Sequence, residues 1–583
     1  MAFRRTCGTP MRVKDPPRMH ASPLAAAKHT NFTSLLALRS ATMFLLIFSV
    51  LLYLPFLHIN AASFKYACES FEPVVENATI EIVEYIPRNK IVDLKYRDTT
   101  CGGPGTNSPV AQDFCRVALN ISTSDRSSIE FEAWLPNNWN GRFVATGNGG
   151  IGGCLDYAII EYAAEYGFAA VGSNNGHNGT GGTSFFHNTD VVEDFAGRSL
   201  HTATLVGKEV TKQYYGKPHR YAYFFGCSQG GRQGIGAAEK YPLDFDGIVA
   251  GSPATDFNNL ISWRASFFTI TGAANSFDFI KASMWTGLIH DEVLRQCDFI
   301  DHVRDEIIEY PDLCHFKPET LKCRDLQFGD ECLTAEQVEI VRKIFSPFTY
   351  DNGTIIYPAM QPGSELRAID RLYAGKPFSD SQDWFRYVVY SDPAWNPATF
   401  TTRDAAVVEA LNPFNVRTFP SGLQAFNASG GKLLVYHGQA DQQITSLETE
   451  RWYDHLASGM NASPSQLDAF TRFFRISGMH HCNSGAGAWM IGQSKQEGIP
   501  FDGQYNVLAA IVDWVEKGKA PDVIEGTKFV NDTAASGVEF RRRHCRYPLR
   551  NRYTGPALYY LNGIVPAGGD HIQITSADDW ECS

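Results

Sequence analysis

The eleven residues Tyr221–Gly231 (YAYFFGCSQGG) constrain this chain more than any other stretch. Tyr221–Phe225 is aromatic or small and apolar, and reads as a buried strand. The glycines beyond it permit a turn too tight for a residue carrying a Cβ. A helix-compatible run follows from Arg232 through Lys240. Gly226-Cys227-Ser228-Gln229-Gly230 thus has the G-x-S-x-G form in the context that form requires, strand, sharp turn, helix. Ser228 would sit on a strained elbow at a helix N-terminus, where a nucleophile belongs.

The sequence around this elbow has a matching rhythm. Arg142–Thr146, Phe168–Ser173, Phe245–Gly251, Lys432–His437 and Thr471–Ile476 read as strands. Leu200–Tyr215, Ser446–Ala457 and Tyr505–Lys517 read as helices. Such alternation implies a parallel sheet covered on both faces, an α/β fold. Short β-like runs precede it from Ser63 to about Asn140, and the tail from Lys519 reads as loop-rich. Between about 256 and 430 the rhythm stops and aromatics accumulate, among them Trp263, Phe267, Phe268, Trp285, Trp384, Tyr387, Tyr390 and Trp395. That stretch reads as an insertion over the C-terminal edge of the sheet, a lid. Since aromatic-rich stretches more often build core, only some of these rings are expected to line a pocket. A chain of 583 residues exceeds one compact domain. The expected division is 1–63 a basic N-region with signal peptide, 64–255 first part of the core, 256–430 lid, 431–583 second part of the core with a C-terminal extension.

A net charge of −12 without a long basic run argues against a nucleic-acid partner. Of thirteen cysteines only Cys7 precedes the apolar run Met43–Leu57, leaving an even twelve beyond it. Seven Asn-x-Ser/Thr sequons also lie beyond it, at Asn77, Asn120, Asn178, Asn352, Asn427, Asn461 and Asn531. Together they point to an oxidising, glycosylating compartment and a secreted protein. The apolar run is short for a membrane span, contains Pro55, and is followed by Asn60-Ala61-Ala62-Ser63. A cleaved signal peptide is expected. A start at Met43 or an uncleaved anchor are the alternatives, the latter the only expected route to a membrane.

A serine hydroxyl needs a base, and the base an orienting carboxylate. Ser228, Asp441 and His481 occur in the chain order Ser, Asp, His, each just after a strand. His480 and His437 are alternative bases. Gly147-Asn148-Gly149-Gly150-Ile151-Gly152-Gly153 follows a strand and suits backbone N–H groups that approach an oxyanion; a plain flexible turn is the other reading. Cys227 precedes the serine and Cys482 follows His481. If Ser228 and His481 are in hydrogen-bonding reach, a Cys227–Cys482 bridge comes within range. It favours His481 over His480.

Gly-Cys-Ser-Gln-Gly-Gly, His-Gly-x-x-Asp and His-His-Cys together resemble the tannase/feruloyl esterase family, over about residues 65–560. The resemblance implies an α/β-hydrolase fold with a large inserted lid, and hydrolysis of esters of aromatic acids without an organic cofactor. By position Ser228 is the nucleophile, Asp441 the orienter and His481 the general base and acid. The N–H of Gln229 and one from Gly149 or Gly150 form the oxyanion hole. Feruloyl and related hydroxycinnamoyl esters on plant polysaccharide are the leading substrates. A tannase acting on galloyl esters is the alternative, and a non-catalytic binding glycoprotein is the reading from another class.

The resemblance also implies a Ca²⁺ site in the lid. Its ligands by position are Asp298, Asp301, Asp305 and the carbonyls of Val303 and Ile307, oxygen donors suited to the ion. Both glycines usual in that stretch are replaced here, and the same spacing would put three aspartates on one solvated helix face. Resemblance and spacing further suggest the bridges Cys297–Cys314, Cys68–Cys115, Cys101–Cys154, Cys323–Cys332 and Cys545–Cys582. Nothing in the sequence fixes an oligomeric state.

Overall fold

A nine-stranded mixed sheet carries the site. In the computed structural model, described for residues 63–94, 96–324, 329–555 and 576–583, the chain begins with β1 (Ala78–Ile86), β2 (Phe114–Ser124) and β3 (Ser127–Pro136). These three pair antiparallel at one edge. β4 (Arg142–Thr146), α1 (Tyr157–Glu165), β5 (Phe168–Ser173), α2 (Ser199–Tyr215), β6 (Tyr221–Cys227), α3 (Gln229–Lys240) and β7 (Gly247–Gly251) follow. α4 (Phe257–Thr271) and a small hairpin, β8 (Phe348–Thr349) and β9 (Ile355–Tyr357), belong to the long insertion. β10 (Lys432–Gly438), α5 (Ser446–Gly459), β11 (Thr471–Ile476) and α6 (Val507–Lys517) return the chain to the sheet.

The strand order is β1-β2-β3-β5-β4-β6-β7-β10-β11. From β5 onward every neighbour is parallel. The sheet is therefore not parallel throughout, because β3 meets β5 antiparallel. Side chains alternate along each central strand, as the two-residue period of a strand requires. Tyr223 and Phe225 of β6 pack in one apolar layer with residues of α1 and α6. Ala222 and Phe224 pack in the other with residues of α2, α3 and α5. Burial on both faces is why these strands read as continuous apolar runs. The helices end where the sequence provides ends: Asn506 caps α6 by accepting from the N–H groups of Leu508 and Ala509, and Gly518 closes it at φ 67°.

Two further expectations are corrected. α3 starts at Gln229, three residues earlier than Arg232, so Gly230, Gly231 and Gly234 lie inside the helix. Their lack of a Cβ serves close packing: one on Gly234 would stand 2.9 Å from Phe224 and Ile248, and one on Gly231 would meet the carbonyl of Gly251. The tail is not mainly loop. β12 (Val523–Phe529) and β13 (Val538–Cys545) form an antiparallel pair, and β14 (Asn551–Tyr553) pairs with β15 (Trp580–Cys582).

The insertion packs into two further apolar clusters, one around Trp263, Phe267, Trp285 and Tyr373, another around Phe257, Trp384, Phe385 and Phe400 that also takes in Phe185 and Phe195 from the first part of the core. The described residues from 64 onward form one compact unit. The expected signal peptide and basic N-region, 1–63, lie outside the described residues except for Ser63.

Candidate active site

Ser228 stands between β6 and α3 with φ 63° and ψ −121°. For a residue with a side chain this conformation is strained by about 1–3 kcal/mol, and persists only where the surroundings over-determine it. Here they do. The Ser228 N–H donates to the carbonyl of Gly251 (2.9 Å), and its own carbonyl accepts from Arg232 and Ala254 (both 3.0 Å). Gly226 and Gly230 allow the bend, since a Cβ on Gly226 would stand 2.9 Å from the Gly230 backbone.

Asp441 follows β10 and His481 follows β11, so the C-terminal ends of three parallel strands, β6, β10 and β11 with β7 between the first two, supply the three side chains. His481 Nε2 lies 2.9 Å from Ser228 Oγ, and its Nδ1 lies 2.7 Å from Asp441 Oδ2. Asp441 is fully buried; burial alone would raise its pKa, but His481 and His437 outweigh it and hold the carboxyl far below the usual carboxylate range. An ionised carboxylate only accepts, so His481 Nδ1 carries the proton and Nε2 is left to accept from Ser228. Asp441 Oδ1 takes the N–H groups of Gln443 (2.8 Å) and Ile444 (2.9 Å). The His481 backbone N–H donates to Gln442 (3.0 Å).

Neither alternative base reaches the serine. His480 Nδ1 lies 3.2 Å from the Ala440 carbonyl, and burial lowers its pKa. His437 is fully buried on the other side of Asp441, its Nε2 3.1 Å from Oδ2.

Cys227 and Cys482 are joined, with Cα atoms 6.0 Å apart. Cys68–Cys115, Cys101–Cys154, Cys297–Cys314, Cys323–Cys332 and Cys545–Cys582 are formed as well.

A cavity of about 900 Å³ opens over Ser228 and His481, and Gly149 and Gly150 line it. Gln229 opens α3, so its N–H is one of the first four that no intrahelical carbonyl can satisfy. Gly147 brings the glycine loop against the elbow, because a Cβ there would run into Gly230. Gly150 has φ 56°, and a Cβ on it would stand 3.0 Å from the Asp380 carboxylate. Arg232 fixes Gln229 from behind. Its guanidinium donates to Gln229 Oε1 (2.8 Å) and to the Phe195 and Val416 carbonyls, and burial without a carboxylate brings its pKa down to about 9.

The insertion supplies one wall of the cavity, through Arg264, Arg371, Ser379, Asp380 and Asp383. Sequence reading missed these. Arg264 is set by its Nε, which donates to the Gln443 carbonyl (2.9 Å), and by packing over the Phe378 ring (4.8 Å). Asp383 accepts from the Gly182 N–H (2.9 Å), and burial raises its pKa. None of the insertion aromatics named from sequence lines the cavity. Trp263, Phe267, Trp285 and Trp384 are buried in the clusters instead. No spacing in the sequence marked the charged set, which converges only in three dimensions.

The stretch expected to hold calcium is a loop, not a solvated helix face. The helix before it ends at Cys297, Asp298–Asp301 forms a 3₁₀ turn, and His302 takes φ 72°. Asp298 Oδ1 and Asp301 Oδ2 are buried without a hydrogen-bond partner. Burial first, then the Asp305 charge, raises Asp298 to about 6; burial first, then the Glu309 charge, raises Asp301 to about 8. Arg542 pairs with Asp305 and Glu309. Among the described residues no three His, Cys, Asp or Glu side chains alone form a metal-binding group.

A mixed sheet covered on both faces, with a nucleophile elbow and a Ser-His-Asp set at the strand ends, defines the α/β-hydrolase class. Residues 115–559 match the sequence profile described as "Tannase and feruloyl esterase". A probable feruloyl esterase B-2 of Aspergillus flavus is 55% identical over 502 residues, covering 85% of this chain and 96% of that protein. The crystal structure of feruloyl esterase B from Aspergillus oryzae superposes with a TM-score of 0.83 at 46% identity, covering 89% of this chain and all of that one. A tannin acyl hydrolase from Aspergillus niger shares the fold at 19% identity, with a TM-score of 0.68 over 89% of this chain and 94% of its own. This chain belongs to the tannase and feruloyl esterase family and is a carboxylic ester hydrolase.

Proposed function

We propose that this protein is a secreted feruloyl esterase hydrolysing hydroxycinnamoyl esters of plant cell-wall polysaccharide through an acyl-enzyme. The hydrogen-bonded run from Ser228 through His481 to Asp441 carries the reading, in a chain 55% identical to a probable feruloyl esterase B-2. His481 Nε2 takes the proton as Ser228 Oγ attacks the ester carbonyl, and returns it to the departing alcohol oxygen. The N–H of Gln229, with one from Gly149 or Gly150, receives the developing oxyanion. Water, deprotonated by the same nitrogen, then releases the acid. A galloyl substrate has weaker support, because the tannin acyl hydrolase likeness reaches only the fold. Turnover of methyl ferulate against methyl gallate tests the assignment. Preference for the ferulate is expected, preference for the gallate reverses it, and turnover of neither revives a binding role.

We further propose a structural Ca²⁺ held by Asp298, Asp301, Asp305 and the carbonyls of Val303 and Ile307. Two buried carboxylate oxygens without partners are what such an ion satisfies. The ion would supply charge that lets both carboxyls ionise, away from the reacting atoms. Secretion and glycosylation are proposed on the same footing. Asn77, Asn178, Asn352, Asn427, Asn461 and Asn531 are exposed, while Asn120 is half-buried in β2. A mass loss on enzymatic deglycosylation of the secreted protein is the expected observation.

A further inference from the structure

Two histidines, not one, share the carboxylate of Asp441. Its Oδ1 is saturated by the Gln443 and Ile444 N–H groups. Its Oδ2 faces His481 Nδ1 at 2.7 Å and His437 Nε2 at 3.1 Å. His437 Nε2 also faces the Ile444 carbonyl at 3.0 Å. Both neighbours of that nitrogen are acceptors, so Nε2 must carry the proton. On the far side His437 Nδ1 lies 2.7 Å from Thr449 Oγ1, a hydroxyl able to donate to it. His437 is fully buried and absent from the cavity wall, so it cannot meet a substrate.

We propose that His437 is a positioning residue that sets the basicity of His481 by donating to the Asp441 oxygen on which His481 leans. This rests on the triad reading given above. The more of the Oδ2 charge is taken by His437, the less remains to hold the proton on His481. His481 is thereby kept ready to accept the Ser228 proton at lower pH. The fixed imidazole also prevents the carboxylate from rotating, because both of its oxygens are held by groups from one loop and one strand end. Other charged or titratable groups facing this region are His480 behind the loop with Glu365 and Arg367 near it, and Asp156, Arg264, Arg371, Asp380 and Asp383 around the cavity. They stay constant across the variants below.

The test compares kcat/KM against pH for wild type, His437→Leu, His437→Gln, Thr449→Val and Ser228→Ala, with methyl ferulate as substrate. In His437→Leu the acid limb is expected to move up by about half a unit or more, since a donor to the carboxylate is gone. The loss of rate relative to wild type is then about threefold or more larger on the acid limb than on the alkaline plateau. His437→Gln, whose amide N–H can occupy the place of Nε2, is expected to return the limb toward wild type. Thr449→Val frees Nδ1 and is expected to shift the limb in the same direction as His437→Leu, by less. A purely structural role would lower the melting temperature and leave the limb in place. Folded His437→Leu and Thr449→Val proteins with a wild-type limb overturn the proposal, as does a limb still displaced in His437→Gln. Should His437→Leu fail to fold, Thr449→Val decides. Full activity in Ser228→Ala would instead overturn the triad reading itself.

Discussion

Cys227 and Cys482, 255 positions apart in sequence, are bonded with each one residue from a member of the hydrogen-bonded Ser228–His481–Asp441 set. The bridge ties the backbone beside Ser228 to that beside His481, and Gly438 lets the two supporting loops nest, since a Cβ there would strike the carbonyls of Met479 and His480. Replacing both cysteines by alanine should cost about 5 kcal/mol of stability on the chain-entropy account. If the bridge also aligns Ser228 with His481, kcat falls while KM changes little. Chemical denaturation and steady-state kinetics measure the two effects separately, and an unchanged kcat would leave the bridge a staple only.

The strained serine gives a prediction about stability. Ser228→Ala and Ser228→Gly should both lower kcat/KM by about 10⁴-fold or more. The glycine protein should be the more stable of the two by about 1 kcal/mol, because φ 63° suits glycine. Equal melting temperatures would remove the strain argument.

The direction of the Asp441 shift fixes a pH dependence. A carboxyl depressed in the folded state contributes stability above its unfolded pKa, near about 3.9, and loses it only as pH falls through the folded value. Asp441 therefore stays ionised across the working range and should add no step of its own to the acid limb of kcat/KM. A slope of two above about pH 4 would place Asp441 in titration there. Asp441→Asn should cost about 10⁴-fold in kcat by upsetting the imidazole tautomer.

Gly147→Ala tests the glycine loop. The added methyl meets Gly230, so either the loop or the elbow must move. A displacement of about 1 Å at the oxyanion position is expected to lower kcat about a hundredfold, with KM less affected. Wild-type kcat would show that the loop tolerates the shift.

Calcium can be measured directly. Elemental analysis of the purified protein should find about one ion per chain, and chelation should lower its melting temperature. Asp298→Asn with Asp301→Asn should abolish both observations. A metal-free protein with the same melting temperature would return the two aspartates to a protonated, ion-free loop.

Strands were the most legible part of the sequence. Thr471–Ile476, Arg142–Thr146 and Phe168–Ser173 have the bounds read from their apolar runs, because burial on both faces leaves little room for another pattern. The start of α3 was not legible. Gly230, Gly231 and Gly234 look like turn residues until their contacts with Gly147, Gly251 and Phe224 are known. β12 and β13 were missed since Gly526 and the arginines Arg541–Arg543 blur the alternation; Gly526 is there because a Cβ would meet the Ala488 carbonyl. The proximity of Ser228, Asp441 and His481 was legible from their order after strands. The company Asp441 keeps was not: His437 read as an alternative base, and nothing in the spacing His-Gly-x-x-Asp says which side of the carboxylate it takes.

The sheet order also sets a schedule. Ser228 lies just after the sixth strand and His481 after the eleventh, 253 positions later, with the whole insertion between them. A ribosome releases the nucleophile first, then the insertion, then the aspartate, and the histidine last. At about 5–20 residues per second this interval lasts tens of seconds. Throughout it the chain holds a serine without a base and a Cys227 without its partner. His481 comes beside Ser228 only when β11 takes its place at the edge of the sheet next to β10.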